Sequence, residues 1–111
     1  MTQDNYQGQK LSIYIGENDR FEGIPLHEYL LEQAIASKLS GGTVIRGREG
    51  FGAHGEIHSL RILRLADNLP LVVEFVGREE KINAFVEKVT PALQEGLMTR
   101  SNVSIRKFRQ D

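Results

Sequence analysis

A chain of 111 residues with 40% hydrophobic and 26% charged residues is expected to form one soluble globular domain. Its formal net charge of -1 argues against a nucleic-acid-binding module, and the absence of cysteine excludes disulfides, thiol catalysis and thiolate metal sites. No apolar run approaches the roughly 20 residues of a membrane span, and the polar N-terminus lacks a signal-peptide core, so we expect a cytoplasmic protein without membrane insertion.

The first third of the chain predicts a strand followed by a helix. Residues 1–9 are polar and are expected to form a disordered tail ahead of one domain at residues 10–109. Apolar and polar residues alternate over residues 11–15, which predicts a half-buried strand. Pro25 suits the first position of a helix, and residues 40–42, Ser-Gly-Gly, suit its end. The predicted apolar face of this helix comprises Leu26, Leu30, Leu31, Ala34, Ile35 and Leu39.

A long glycine-rich loop follows a second predicted strand at residues 43–48. Four glycines fall close together there: Gly47, Gly50, Gly52 and Gly55. A short domain rarely keeps so long a connection unless the loop is functional. Glycine lets a ligand approach the backbone, and successive N–H groups in such a turn can hold an anion. Arg46 and Arg48 would add charge if they share a strand face; the alternative is a hairpin with solvated arginines.

The second half of the chain predicts two more strands around a second helix. Residues 71–76 alternate strongly, with Leu71, Val73 and Phe75 on one face and Val72, Glu74 and Val76 on the other. An amphipathic helix begins near Glu79, and a break is expected at Pro91. Its stripe comprises Ile82, Phe85, Val86 and Val89. Residues 103–108 alternate again and predict the last strand.

The element order β-α-β-β-α-β predicts an α+β ferredoxin-like sandwich, a four-stranded antiparallel sheet with both helices on one face. The opposite face would carry Val72 and Val76 without cover. Exposed β-branched residues on an open sheet indicate that other subunits cover it. Closed cyclic symmetry would do so without leaving an edge that can grow into a fibre.

Motifs of a known family run through residues 10–108. They are LSIYIGE at 11–17, PLHEYLLEQA at 25–34, GGTVIRGREGFGAHGEIHS at 41–59, ILRLADNLPLVVEFV at 62–76, EEKINAF at 79–85 and EGL at 95–97. On these motifs the chain resembles the PII-like domain of unknown function family 190. Through Gly50-Phe51-Gly52 ahead of a long loop, it also resembles the wider PII superfamily of trimeric signalling proteins. PALQEGLMT at 91–99 stands where PII proteins have a glycine- and lysine-containing phosphate loop.

The resemblance implies a homotrimeric signalling protein that binds a small anionic ligand, such as an adenine nucleotide, between subunits. The implied ligand-binding residues are Arg46, Gly47, Arg48, Gly50, Phe51, Gly52 and, from the neighbouring subunit, Arg106. A flexible loop over residues 51–64 would contact a partner protein. Its implied contact residues are His54, Glu56, His58, Arg61 and Arg64. The family is often encoded beside fluoride-channel-like membrane proteins, so the resemblance suggests a membrane transporter or channel as partner.

Two other functional classes stay open on the residues alone. His54 and His58 share the loop with Glu49 and Glu56, which would suit a first-row metal in a module of the related divalent-cation-tolerance fold. Solvent-exposed imidazoles are the competing explanation for these histidines. A small enzyme is the third class, but the serines are scattered and none stands in a nucleophile elbow. We therefore expect a non-enzymatic protein with no metal and no cofactor beyond the nucleotide ligand.

Overall fold

The computed structural model describes residues 2–51, 58–59 and 68–110. In chain order its elements are β1 (Thr2–Gly16), β2 (Arg20–Phe21), β3 (Ile24–Pro25), α1 (Leu26–Ala36), β4 (Gly41–Arg46), β5 (Glu49–Gly50), β6 (His58–Ser59), β7 (Pro70–Gly77), α2 (Glu79–Val89), a 3₁₀ turn (Thr90–Ala92) and β8 (Leu97–Arg109). The long strands are joined by the two helices in the predicted order. The predicted return of the loop as a strand arm at residues 60–65 lies outside the described residues.

The four long strands form one antiparallel sheet in the order β4-β7-β1-β8. Helix α1 connects β1 to β4, which lie on either side of β7, and α2 connects β7 to β8, which lie on either side of β1. This is the split βαβ arrangement of the ferredoxin-like fold. The predicted α+β sandwich is therefore confirmed.

The hydrophobic core lies between the two helices and one face of the sheet. The buried core side chains are Leu11, Ile13, Ile15, Leu26, Leu30, Ala34, Leu71, Val73, Phe75, Ile82, Phe85, Val89 and Ala92. Phe75 and Phe85 are fully buried, and their rings meet edge to face with centroids 4.9 Å apart. The predicted inward face of β7 is thus confirmed. Ile35 is 78% exposed, because the buried stripe of α1 follows Leu30 and Ala34 and turns Ile35 away.

The predicted boundaries of α1 and of the second strand need correction. Pro25 is extended at φ -56° and ψ 133° and precedes the helix, which begins at Leu26. Lys38 adopts a φ of 60° and turns the chain out of the helix before the predicted stop. Residues 41 and 42 belong to β4 instead, where a Cβ at Gly42 would lie 2.9 Å from the Phe75 ring.

The predicted disorder of residues 1–9 is wrong for residues 2–9. They continue β1 and pair with β8 without a break in register, and β8 itself begins earlier than predicted. Gln7 donates to Ser104 and Gln9 donates to Asn102, each at 2.9 Å. Polar residues suit this two-stranded ribbon, because one of its faces is exposed and the other is only half-buried. Residues 2–8 and 103–109 are called the β1–β8 ribbon below.

The predicted break at Pro91 is confirmed, since α2 ends at Val89 and Pro91 lies in the 3₁₀ turn. Gly96 follows with a φ of 113°, and a Cβ at this position would lie 2.4 Å from the Tyr14 carbonyl oxygen. Glycine at 96 therefore allows the chain to approach β1 closely and start β8.

The face of the sheet opposite the helices carries an apolar row across all four strands. Ile45, Val72, Tyr14 and Leu97 are consecutive cross-strand partners. Ile45, Tyr14 and Leu97 are 46%, 39% and 55% exposed. The row extends the uncovered surface predicted from Val72, and we call it the open-face row.

Candidate functional site

The long loop leaves the sheet at the end of β4 and returns at the start of β7. The Gly47 N–H donates to the Pro70 carbonyl oxygen at 2.8 Å, which joins the two points. A Cβ at Gly47 would lie 2.9 Å from Pro70 Cγ, so a larger residue would push the two strands apart. We call residues 46–51 and 68–70 the loop base. Gly47 therefore allows the two strands to approach closely. Its N–H is already bonded to Pro70, so it cannot donate to a ligand.

The turn after β1 holds both sides of the loop base through polar side chains. On the outgoing side, Arg46 Nη2 lies 3.0 Å from one Glu17 carboxylate oxygen and 3.1 Å from the other. On the returning side, Asn68 Nδ2 donates to Asp19 Oδ1 at 2.9 Å, and Asn68 Oδ1 accepts from the Asn18 N–H at 2.6 Å. Sequence reasoning missed these contacts. The only signal was a polar turn, ENDR, of ordinary composition.

The two sides of the loop begin as a short hairpin. Glu49 pairs with Ser59 and Gly50 pairs with His58 in the β5–β6 ladder. Phe51 follows with 77% of its surface exposed. The hairpin named as the alternative for the glycine motif is therefore present at its base. Gly52, the last glycine of the predicted ligand site, lies outside the described residues.

The two predicted arginines do not share a strand face. β4 ends at Arg46, and Arg48 lies two residues beyond it with its side chain exposed. The chain leaves the sheet at Gly47, so the alternation of a strand does not continue to Arg48. Arg46 is engaged by Glu17, whereas Arg48 is exposed and forms no ion pair with a carboxylate that the structure describes. Ligand binding by this pair stays a prediction.

Arg106, the residue expected from a neighbouring subunit, lies far from the loop base of its own chain. Its Nε donates to Asn5 Oδ1 at 2.8 Å on the β1–β8 ribbon. Asn5 lies beyond the last β1 residue that pairs with β7, whereas Arg46 lies opposite Leu71 near the start of β7. About ten residues of strand, or about 30 Å, separate these positions. A site that uses both arginines therefore requires two subunits.

The predicted partner-contact residues lie almost entirely outside the part of the chain that the structure describes. These are His54, Glu56, Arg61 and Arg64, and His58 is described only as a backbone partner in β6. Among the described residues, no group of three or more histidines and carboxylates is placed to hold a metal. Neither of the two described helices, at 11 residues each, is long and apolar enough to cross a membrane.

Metal binding through the loop histidines is tested by replacing both with alanine. For His54→Ala/His58→Ala we expect the free energy of unfolding to stay within about 0.5 kcal/mol of wild type, as at ordinary surface positions. Thermal unfolding with and without equimolar zinc measures this. A zinc-dependent rise in melting temperature that the double variant loses would instead favour the metal-binding module.

Known sequences similar to this chain have descriptions that state no activity. The family DUF190, described as "Uncharacterized ACR, COG1993", matches residues 8–105. A UPF0166 protein of Aquifex aeolicus (strain VF5) is 39% identical over 95 residues, which cover 86% of this chain and 90% of that protein. A UPF0166 protein of Methanocaldococcus jannaschii is 37% identical over 79 residues, covering 71% and 72%. The family match includes the whole loop base.

Solved structures similar to this chain are PII-like. CPII, a nitrogen regulatory PII-like protein from Thiomonas intermedia K12 bound to ADP, AMP and bicarbonate, has a TM-score of 0.70 and 16% identity, over 92% of this chain and 91% of CPII. The apo form of CPII has a TM-score of 0.63 and 13% identity, over 96% and 99%. At these identities the likeness is one of fold.

Proposed function

The chain belongs to the DUF190 family, and from this membership and its PII-like fold we propose that it is a PII-like regulatory protein and not an enzyme. It binds a small anionic ligand, an adenine nucleotide, between subunits, and it contacts a partner protein through the loop at residues 51–64. The observation that carries the proposal is that CPII, whose fold this chain shares over 92% of its length, is bound to ADP, AMP and bicarbonate.

The loop base supports the proposed nucleotide site by its chemistry. The Arg48 guanidinium is exposed and can form a bidentate bond with a phosphate group. The exposed Phe51 ring offers an apolar surface against which a base can stack. Arg106 of a second subunit would complete the charge around the phosphates. A ligand that also recruits Arg46 must displace the Glu17 carboxylate.

The proposed output is a change in the segment at residues 51–64. Ligand bound at its base would switch this segment between two states, of which one presents His54, Glu56, His58, Arg61 and Arg64 to the partner. A membrane transporter or channel is the proposed partner, and the protein itself would act in the cytoplasm. Because the segment begins at the nucleotide site, a few contacts between the ligand and the loop base would be enough to favour one of its two states.

The proposal is tested first by calorimetric titration of the wild-type protein with AMP, ADP and ATP. We expect saturable heat with at least one of the three nucleotides. No heat with any of them up to millimolar concentration would end the nucleotide proposal. The loop would then be a protein-contact element only.

The open-face row indicates an oligomer, and the resemblance to the trimeric PII proteins leads us to expect a homotrimer in solution. Three protomers of 12.5 kDa give 3 × 12.5 = 37.5 kDa. Light scattering at micromolar protein should return this mass, because apolar side chains on an open sheet gain by burial between subunits. Leu97→Asp should shift the mass toward the monomer, whereas Phe108→Asp, exposed but outside the row, should not. A wild-type mass of one protomer would refute the trimer.

Glu17→Gln is expected to raise the affinity for the nucleotide by up to about fivefold, since an exposed ion pair is worth roughly 0.2–1 kcal/mol. The physical reason is that Arg46 no longer pairs with a carboxylate and is free for phosphate. Titration calorimetry measures the change. Glu49→Gln is the matched control, because it removes a charge from the same loop base without removing the partner of Arg46. Equal gains in affinity from both variants, or no gain from Glu17→Gln, would contradict the proposed competition between Glu17 and phosphate for Arg46.

A further inference from the structure

Asp19, in the turn that follows β1, bonds to three separate segments of the chain. Its carboxylate accepts the Gly16 N–H through Oδ2 and the Asn68 Nδ2 through Oδ1, each at 2.9 Å. Its carbonyl oxygen accepts the N–H of Leu26, the first residue of α1, at 2.8 Å. One residue therefore joins the end of β1, the start of α1 and the returning side of the loop base. We call residues 16–19 the β1 turn.

Asn68 fits into space that Gly16 leaves beside the β1 turn. A Cβ at Gly16 would overlap the Asn68 amide group, so a side chain at this position would expel it. The Asn68 Oδ1 accepts the Asn18 N–H at 2.6 Å. In the backbone next to it, the Glu17 N–H donates to the Leu69 carbonyl oxygen at 2.7 Å. The amide is therefore held at both its oxygen and its nitrogen, and its orientation is fixed.

The donors and acceptors of this arrangement match without remainder. A carboxylate only accepts, and the two oxygens of Asp19 face the Gly16 N–H and the Asn68 amide nitrogen. The amide of Asn68 donates to Asp19 and accepts from Asn18. An amide at position 19 and a carboxylate at position 68 would form the same three bonds, with only the direction of the central bond reversed. Either single exchange would break one of them.

The returning side of the loop base is bonded directly to the outgoing side. Asn68 lies two residues before Pro70, whose carbonyl oxygen accepts the Gly47 N–H at 2.8 Å. Arg46 directly precedes Gly47 and bonds Glu17 of the same β1 turn. A shift of Asn68 would therefore move Pro70 and, through the bond to Gly47, the start of the outgoing segment.

We propose that Asp19 and Asn68 are positioning residues of the loop base. Their hydrogen bond fixes the returning side against the β1 turn and so holds residues 46–51 in the conformation that binds the ligand. Neither side chain needs to touch the nucleotide, because each acts through the backbone. The effect on nucleotide affinity rests on the proposed function, whereas the effect on the loop base does not. When fewer molecules hold the binding conformation, the apparent affinity falls in the same proportion.

The first test is Asn68→Ala in the full chain, followed by residue-resolved hydrogen exchange and by calorimetric titration with AMP, ADP and ATP. Exchange of the Gly47 N–H should become about tenfold faster, as expected for the loss of a charge-assisted bond, while the amides of residues 72–76 keep their rates. Nucleotide affinity should fall by about threefold or more. Asn102→Ala is the matched control, because it removes a hydrogen-bonded amide that contacts Gln9 and not the loop base. It should change neither quantity.

The second test exchanges the two side chains. Asn68→Asp alone places two carboxylates opposite one another, and Asp19→Asn alone leaves a donor facing a donor, so each should speed Gly47 exchange and weaken nucleotide binding. The double variant Asp19→Asn/Asn68→Asp forms all three bonds again. Both quantities should therefore return to within about twofold of wild type.

The exchange measurement separates this proposal from the nucleotide proposal. If the wild type binds no nucleotide, the proposed function fails, and Gly47 exchange in the single and double variants still decides whether the pair positions the loop base. Unchanged Gly47 exchange in Asn68→Ala, or no recovery in the double variant, would overturn the inference. Exchange that accelerates equally at Gly47 and over residues 72–76 would also overturn it, because the pair would then only stabilise the whole fold. So would unchanged affinity in Asn68→Ala when the wild type binds nucleotide.

Discussion

Phe85→Ala is expected to lower the free energy of unfolding by about 3–5 kcal/mol, the largest stability effect of any single substitution considered for this fold. Phe85 is fully buried on α2 and meets the Phe75 ring with centroids 4.9 Å apart. Truncation removes apolar surface from the core and leaves a cavity that β7 and α2 cannot close. The loss is a large part of the roughly 5–15 kcal/mol that stabilises an ordinary domain.

Urea denaturation at one fixed protomer concentration measures this loss, because unfolding of an oligomer depends on concentration. Val86→Ala is the matched control, as it lies on the same helix and is only half-buried. Its cost should be smaller by at least a factor of two. A loss below about 1 kcal/mol for Phe85→Ala, the size usual at less critical sites, would contradict the core described here.

Arg48→Ala is expected to weaken nucleotide binding by about ten- to 150-fold, which corresponds to loss of one charge-assisted hydrogen bond worth roughly 1.5–3 kcal/mol. Arg46→Ala should also weaken binding by at least tenfold. Gly52→Val should weaken binding by denying the backbone its approach to the ligand. The assembly should stay intact in all three variants. Calorimetric titration with AMP, ADP and ATP measures each affinity.

Arg20→Ala provides the control, because Arg20 is exposed and bonds only the nearby Gly23 carbonyl among the contacts described for it. Its affinity for nucleotide should match wild type. Arg106→Ala tests whether a second subunit contributes to the nucleotide site. A tenfold loss of affinity would place this ribbon residue at the same phosphates as Arg48. If Arg20→Ala and Arg48→Ala weaken binding equally, general electrostatics and not a built site explains the effect.

Local sequence pattern was sufficient for the architecture of this chain. The alternation over residues 71–76 and the stripe on α2 are repeats of two and 3.6 residues, and each burial face follows directly from its period. The glycines that begin at Gly47 indicated the region where the long loop leaves the sheet, because glycine and a polar run interrupt strand pairing, but the strand ends at Arg46, two residues before its predicted end. Pro91 marked the end of α2 for an equally local reason, the missing N–H.

Contacts between distant segments were decided only in the tertiary structure. Residues 2–9 have the polarity of a disordered tail, and only pairing with β8, about 100 residues away in sequence, makes them a strand. Glu17 holds Arg46 on one side of the loop base, and Asn68 bonds the turn after β1 on the other side. In each case the residues are ordinary in type and carry no spacing signal. Their structural role depends on which side chains the fold brings within hydrogen-bond distance. A local sequence period does not determine those contacts.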